Sequence, residues 1–299
     1  MSADQEKISE KNAEKPLAPG LYLVATPIGN LEDITLRALR ILRSVDRIAC
    51  EDTRQTQKLL NHFEIRTPTV SYHMHNEGSR SEELVAQLKL GARIAIVSDA
   101  GTPGIADPGG QIANAAIAAG IDVFPVPGAN AALSGLIASG LPTEQFTFHG
   151  FLPAKAGQRK TALEELPRGD ATHVFYEAPH RILDTLADVE TVFGPAQHVV
   201  IARELTKLHE EFLRGAVSEL RTQLAARPSI RGEIVLMLAP TVAEDEDAAQ
   251  RASIAVEVAA LVKAAGISEM DALKRVARDR GIGKSDAYRE LQREQNRLR

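Results

Sequence analysis

Arg93-Ile94-Ala95-Ile96-Val97-Ser98-Asp99-Ala100-Gly101-Thr102-Pro103-Gly104-Ile105-Ala106-Asp107-Pro108-Gly109-Gly110 is the stretch on which the fold turns. Its first five residues are a short apolar run rich in β-branched side chains, the pattern of a strand buried on both faces. The next 13 residues, Ser98 to Gly110, hold four Gly and two Pro and show no periodicity. They read as a loop, and a loop of that length without structure of its own is usually functional. An Ala-rich helix follows from about Gln111. Strand, long loop and helix together make one unit of a parallel sheet.

The same unit recurs on both sides. Upstream, Leu21 to Ala25 reads as a strand, Thr26-Pro27-Ile28-Gly29-Asn30 as a loop, and Ile34, Ala38, Ile41 and Val45 recur at helical spacing. Arg47 to Cys50 and Thr69 to Tyr72 read as strands. Thr53 to Asn61 and Ser81 to Leu90 read as helices, the latter with Leu84 and Leu88 on one face. Downstream come a strand at Asp122 to Val126 and a helix at Ala129 to Ser139, expected to pack Leu133, Leu136 and Ile137 inward. Five such units predict an α/β domain with a mainly parallel five-stranded sheet, covered on both faces and joined by right-handed crossovers.

The rhythm changes near Gly140-Leu141-Pro142. Strand-like runs at Phe146 to His149, His173 to Tyr176, His198 to Arg203, Glu210 to Arg214 and Glu233 to Leu238 alternate with helices at Arg159 to Glu165, Arg181 to Val192 and Val217 to Ala226. The closeness of the strands around Arg203 and Phe212 implies antiparallel pairing, so this part reads as a second α+β domain with a mixed sheet. The expected division is a disordered tail at 1–18, the N-terminal α/β domain at 19–142, the second domain at 143–242, and an acidic linker with a helical extension at 243–299. The linker carries Glu244-Asp245-Glu246-Asp247, and a break at Gly281-Ile282-Gly283 separates two helices of the extension.

Net charge is −5. A chain whose sole task is gripping a polyanion is usually basic, so either the substrate is small or positive charge is local. Residues 267–299 contain nine Lys/Arg and six Asp/Glu, a local +3. The one cysteine, Cys50, reads as a buried strand thiol, and a lone thiol fits a reducing compartment. The polar segment Met1 to Ala18 lacks the apolar core of a signal peptide, and no long uncharged apolar run suits a membrane span. A cytoplasmic protein is expected.

Three turn-rich loops follow the first, fourth and fifth strands: the two above, and Pro127-Gly128-Ala129-Asn130. In a parallel sheet they gather at the carboxyl edge, where open α/β sheets bind ligands. Glycine permits positive φ and close backbone approach, and proline limits the ordering entropy lost on binding. The fingerprints Gly-x-Gly-x-x-Gly and Gly-x-x-x-x-Gly-Lys-[Ser/Thr] are missing, which disfavours NAD and ATP. No Cys/His spacing marks a zinc site, and no metal is expected. His73 and His75 read as strand-end histidines.

Seven motifs together carry a resemblance. They are Ala25-Thr26-Pro27-Ile28-Gly29-Asn30-Leu31-Glu32-Asp33, Glu51-Asp52-Thr53-Arg54, Ser98 to Gly109, Val126-Pro127-Gly128-Ala129-Asn130-Ala131, Phe175-Tyr176-Glu177-Ala178-Pro179-His180-Arg181, Ala202-Arg203-Glu204-Leu205-Thr206-Lys207 and Gly232-Glu233-Ile234-Val235. In this order over about residues 20–240 they resemble the tetrapyrrole-methylase superfamily, and more narrowly its branch of ribosomal RNA small-subunit 2′-O-methyltransferases. The superfamily's first loop is usually Gly-x-Gly-Asp; here Pro27, Ile28, Gly29 and Asn30 stand there, which fits the RNA branch.

The resemblance implies S-adenosylmethionine in a cleft between the two domains. The residues around it would be Pro27, Gly29 and Asn30; Asp99, Ala100, Gly101, Thr102, Pro103, Gly104 and Ile105; and Gly128, Ala129, Asn130 and Ala131. Backbone near Glu177 and Ile234 would hold the adenine. It further implies a homodimer, and as substrate a cytidine in the decoding region of 16S rRNA, on naked RNA or in the 30S subunit.

Methyl transfer to a ribose hydroxyl needs alignment and gains from a base, typically about 10²–10⁴-fold. Asp52, Glu177, His180 and Glu204 are the candidate bases, being polar residues of motifs that flank the cleft. Asp52 equally suits a helix cap, and His180 suits orientation. Arg54, Arg181, Arg203 and Lys207 are candidate phosphate contacts, with ion pairing to Glu51, Glu177 or Glu204 as the alternative. If these and the basic tail form an RNA track, binding weakens steeply with salt. Two other functions stay open: methylation of a small tetrapyrrole, and a non-catalytic RNA-binding assembly role.

Overall fold

The computed structural model describes residues 16–241 and 254–297. The described residues fall into two compact units that divide between Pro240 and Thr241. Most of the expected N-terminal tail, residues 1–15, and the acidic run Glu244 to Asp247 lie outside the described residues.

The first unit opens with five strands: β1 (Gly20–Val24), β2 (Arg47–Cys50), β3 (Thr69–Ser71), β4 (Arg93–Val97) and β5 (Val123–Val126). Their order is β3-β2-β4-β1-β5, and every neighbouring pair is parallel. Helices α1 (Leu36–Ser44), α2 (Thr53–His62), α3 (Glu77–Lys89), α4 (Gly110–Ala118) and α5 (Ala131–Ser139) connect or follow them. Ile41, Leu42 and Leu60 of α1 and α2 pack with Tyr22, Val24, Ile48 and Cys50 on one face of the sheet. Leu84, Leu88, Ile112 and Ala116 of α3 and α4 pack with Leu21, Ile94 and Ile96 on the other. Adjacent strand residues thus serve opposite faces, as the period of two requires.

The strand order fixes where a ligand can sit. β1 and β4 are neighbours, yet β1 leads to α1 on one face and β4 leads to α4 on the other. Their outgoing loops part above the sheet and leave a crevice, the topological switch point of an open α/β sheet.

The second sheet contains β6 (Phe146–Phe151), β7 (Thr172–Glu177), β8 (His198–Arg203), β9 (Glu211–Ala216) and β10 (Ile234–Leu238) in the order β6-β7-β10-β8-β9. Only β6 and β7 run parallel. The antiparallel pairing expected near Arg203 is present, with Ala202 opposite Phe212. Helices α6 (Ala156–Glu164), α7 (Ile182–Phe193) and α8 (Val217–Ala225) cover one face, burying Leu163, Leu186, Val189, Leu220 and Leu224 against Phe175, Val199, Ile201 and Leu236. The other face receives the first layer: Ile28, Ala132 and Leu136 pack on Val174, Val200, Ala202, Val235 and Met237.

That contact corrects the expected inward face of α5. Leu136 is buried, but Leu133 is 47% and Ile137 77% exposed. The helix instead turns Ala132, Gly135, Leu136 and Ser139 inward. Small residues win because the sheet comes very close: a Cβ on Gly135 would stand 3.3 Å from Val235 Cγ1 and 3.5 Å from Met237 Cε. Leu133 in that place would overpack the seam. The helix expected at Ser81 begins earlier, at Glu77, whose carboxylate accepts from the Tyr72 hydroxyl at 2.9 Å and from Gly109 N at 3.1 Å.

In the second unit, α9 (Ile254–Ala265), α10 (Glu269–Asp279) and α11 (Lys284–Arg297) share a small core of Ile254, Val258, Leu273, Val276, Ala287 and Leu291. Ser268 caps α10, its hydroxyl accepting from Asp271 N at 3.2 Å. The expected break at Gly281 to Gly283 separates α10 from α11. Among the described residues no helix is long and apolar enough to cross a membrane.

Candidate active site

The three glycine-bearing loops meet at the switch point, and specific bonds lace them together. Thr26 and Gly101 form an isolated antiparallel bridge, with Thr26 N donating to Gly101 O at 2.8 Å and Gly101 N to Thr26 O at 3.1 Å. The Thr26 hydroxyl donates to Ser98 O at 3.2 Å. Thr102 Oγ1 donates to Ala129 O at 3.1 Å, which ties the loop after β4 to the loop after β5. Gly101 has φ +83°, and a Cβ there would lie 3.3 Å from Ile28 Cγ2. A Cβ on Gly128 would meet the Ala25 Cβ at 2.9 Å, so only glycine lets these two loops touch.

A cavity of about 390 Å³ opens beside this junction, between the two sheets. That is the size range of small-molecule and cofactor pockets. Asp99, Ala100, Gly101, Thr102, Ile105 and Ala131 of the expected cofactor residues line it, as do Glu177 and Ile234. Pro27, Gly29, Asn30, Pro103, Gly104, Gly128, Ala129 and Asn130 do not. Asn30 and Asn130 are occupied as caps, accepting from Glu32 N and Leu133 N, both at 3.0 Å. Asp99 joins the β2 loop to the β4 loop by accepting from Asp52 N at 3.1 Å.

Ile28, Ala106 and Asp107 add to it from the first layer, and the second sheet and its loops supply Phe151, Tyr176, Pro179, Leu205, Glu233 and Val235. All but Phe151 stand in the quoted motifs, though none was named as a cofactor residue; the pairing of β7 with β10 brings part of the set together, setting Glu177 opposite Ile234 and Tyr176 opposite Val235. The apolar slot so formed suits a flat purine, while backbone from the glycine loops and the Asp99 and Glu233 carboxylates suit a polar, cationic tail. The site therefore fits S-adenosylmethionine in both shape and charge.

Of the four candidate bases, three are already engaged. Asp52 Oδ1 accepts from Arg54 N at 2.8 Å and caps α2, and its carboxylate pairs with the Arg54 guanidinium at 2.9 Å. Those Arg54 bonds hold its carboxyl down to about 2. Glu177 is buried, accepting from Thr185 Oγ1 at 2.6 Å and Ala178 N at 2.7 Å, with Arg181 Nε at 3.2 Å. Glu204 accepts from Lys207 Nζ at 2.8 Å and Glu233 N at 3.1 Å, and the lysine keeps its carboxyl below the ordinary range. His180 is exposed and outside the lining.

The candidate phosphate contacts divide likewise. Arg181 donates to Leu152 O at 2.8 Å besides its pairing with Glu177. Arg203 pairs with Glu211 at 3.1 Å, and Lys207 bridges Glu204 and Glu233 at 2.8 Å each, its stem lying across Gly29. Arg54 is paired with Asp52 yet 87% exposed, the most available of the four. Among the described residues no cluster of three or more His, Cys, Asp or Glu could hold a metal ion.

One lining carboxylate stands apart. Asp107, in the loop after β4, is half-buried in the pocket wall. Burial raises its carboxyl, the nearby Glu51 and Asp99 charges raise it further, and the Ser98 hydroxyl offsets part of the rise, to give about 6.

A parallel sheet with its crevice at β1/β4, roofed by a mixed sheet, defines a class of protein: residues 20–221 match the model of the tetrapyrrole (corrin/porphyrin) methylases, and the chain belongs to that family. Within it, the chain is 51% identical over 270 residues to the ribosomal RNA small subunit methyltransferase I of Halalkalibacterium halodurans, covering 90% of this chain and 93% of the relative. It is 45% identical to the protein of that name from Bacillus subtilis, over 90% of this chain and 92% of the relative. Solved structures share the fold. The uroporphyrin-III-C-methyltransferase of Thermus thermophilus superposes with a TM-score of 0.52 at 23% identity, covering 74% of this chain and 94% of that one. A diphthine synthase gives 0.56 at 14%, covering 74% and 90%.

Proposed function

We propose that this protein uses S-adenosylmethionine to methylate the 2′-hydroxyl of a cytidine ribose in the decoding region of 16S rRNA, acting in the cytoplasm as a homodimer on the 30S subunit. The carrying observation is the lacing of three glycine-bearing loops, Thr26 to Gly101 and Thr102 to Ala129, around a pocket of cofactor size. The RNA substrate is supported by the names of the relatives, which align over nine-tenths of the chain. Asn30, standing where the wider family usually has an acid in its first loop, favours this branch over a tetrapyrrole substrate.

When bound, the cofactor supplies a methyl group activated by a cationic sulfur. The chain's own task is alignment: the laced loops hold one side of the pocket rigid, and β7 and β10 hold the other. Orientation of this kind can contribute roughly 7–11 kcal/mol to a displacement. Mass spectrometry of 16S rRNA from cells lacking the protein tests the reading. One ribose methyl should disappear from a decoding-region cytidine and return on complementation. An unchanged methylation pattern would sink it.

A further inference from the structure

Building on the ribose-methylation reading, we propose that Asp107 is the catalytic base that accepts the proton of the ribose hydroxyl. Four carboxylates line the pocket: Asp99, Asp107, Glu177 and Glu233. Asp99 is committed to Asp52 N, Glu177 to Thr185, Ala178 N and Arg181, and Glu233 to Lys207. Asp107 alone of the four faces the cavity without an ion pair or a backbone donor. It does not serve the adjacent helix either, since α4 starts at Gly110 behind Gly109 and has no side-chain cap.

The surroundings keep this carboxylate available. The charged groups that act on it are Glu51 from the end of β2 and Asp99 from its own loop, with Ser98 as a hydroxyl neighbour. Across the pocket Tyr176 of β7 is near enough for its own ionisation to be opposed by the Asp107 charge. Burial first, then the Glu51 and Asp99 charges, lift its carboxyl to about 6, where a base is both ionised at neutral pH and able to hold a proton. Ala106, immediately before it, is in the left-handed region at φ +60°, a conformation non-glycine residues seldom adopt. The loop accepts that strain where it turns Asp107 to the cavity.

The ribose oxygen bonds to the methyl carbon while its proton passes to the Asp107 carboxylate. The carbon–sulfur bond breaks, and its electron pair stays on sulfur, leaving a neutral thioether. Asp107 then returns the proton to solvent.

Asp107→Asn is the test, with wild type measured in parallel on 30S subunits. The expected result is a fall in kcat of about 10²–10⁴-fold with cofactor affinity by calorimetry unchanged. Wild-type kcat/KM should rise with pH to an inflexion near 6, and the variant should lack it. A second readout needs no activity. A carboxyl raised in the folded state loses stability as pH climbs from its unfolded value of 3.8 through about 6, so Asp107→Asn should gain in Tm over wild type across that interval and hold the gain above it. Wild-type kcat in the variant, or a loss explained wholly by cofactor affinity, overturns the base assignment. Should the variant not fold, a flat wild-type profile from about pH 5 to 8 overturns it as well. A wild-type enzyme that binds cofactor yet methylates neither 30S nor 16S rRNA refutes the ribose reading and the base with it, whereas an active variant refutes the base alone.

Discussion

Replacing Gly101 by alanine separates what the loop junction does for stability from what it does for the ligand. Gly101 sits at φ +83° and its Cβ would approach Ile28 Cγ2 to 3.3 Å. The left-handed backbone costs an L-residue roughly 1–2 kcal/mol, and the methyl of Ile28 can yield the few tenths of an ångström the contact asks. The total is therefore about 1–2 kcal/mol, which for a unit of this size lowers Tm by about 2–8 °C. Strain of that size is relieved by opening the bridge to Thr26, which moves the pocket wall. Affinity for S-adenosylmethionine should then fall about tenfold, since 1.4 kcal/mol is one decade. Gly91→Ala is the control: φ there is +91° with nothing within 4 Å of the added Cβ, in a turn that does not line the pocket. Both variants should lose similar Tm by circular dichroism, and only Gly101→Ala should lose affinity by calorimetry. Equal affinities in the two would refute the placing of the cofactor against this loop.

Two carboxylates held by partners give further tests. Arg227 first and Arg203 second hold the Glu211 carboxyl down to about 2 from an ordinary 4.5. Because the folded value is depressed, the stabilisation is complete above about 4.5 and fades as pH falls through about 2. The Tm gap between wild type and Glu211→Gln should follow that course; a gap independent of pH counts against it. Glu177→Gln removes the charge from a fully buried carboxylate with three partners and should cost about 3–5 kcal/mol, read as a lower urea midpoint. An unmoved midpoint would show that the charge is not what anchors the turn into α7.

Much of the fold was legible because its signals are local. The run Arg93 to Val97, the loop after it and the helical spacing of Ile34, Ala38 and Ile41 each announce an element within a dozen residues, and the parallel sheet follows from their alternation. The inward face of α5 was not legible: Leu133 and Ile137 satisfy helical periodicity, but which stripe is buried depends on how near β10 comes to Gly135. The site shows the same split. Glycine and proline marked the loops and the cap at Asp52 was a local signal, whereas the commitments of Glu177 and Glu204 depend on Thr185 and the Glu233 amide, brought up by folding. Asp107 stood inside the decisive stretch as one more turn residue. Its character arises where folding buries it in the pocket wall and brings Glu51, just after β2, and Asp99 beside it.

The position of β10 has a consequence for biogenesis. It is the last strand in sequence among the described residues yet lies in the middle of its sheet, between β7 and β8. A nascent chain that has emerged only as far as Glu233 carries two bare strand edges, the kind of surface that templates pairing with other chains. The side of the pocket built on Ile234 and Val235 is assembled by that same insertion. Ligand competence and protection from intermolecular pairing are thus delivered together, by one late event in synthesis.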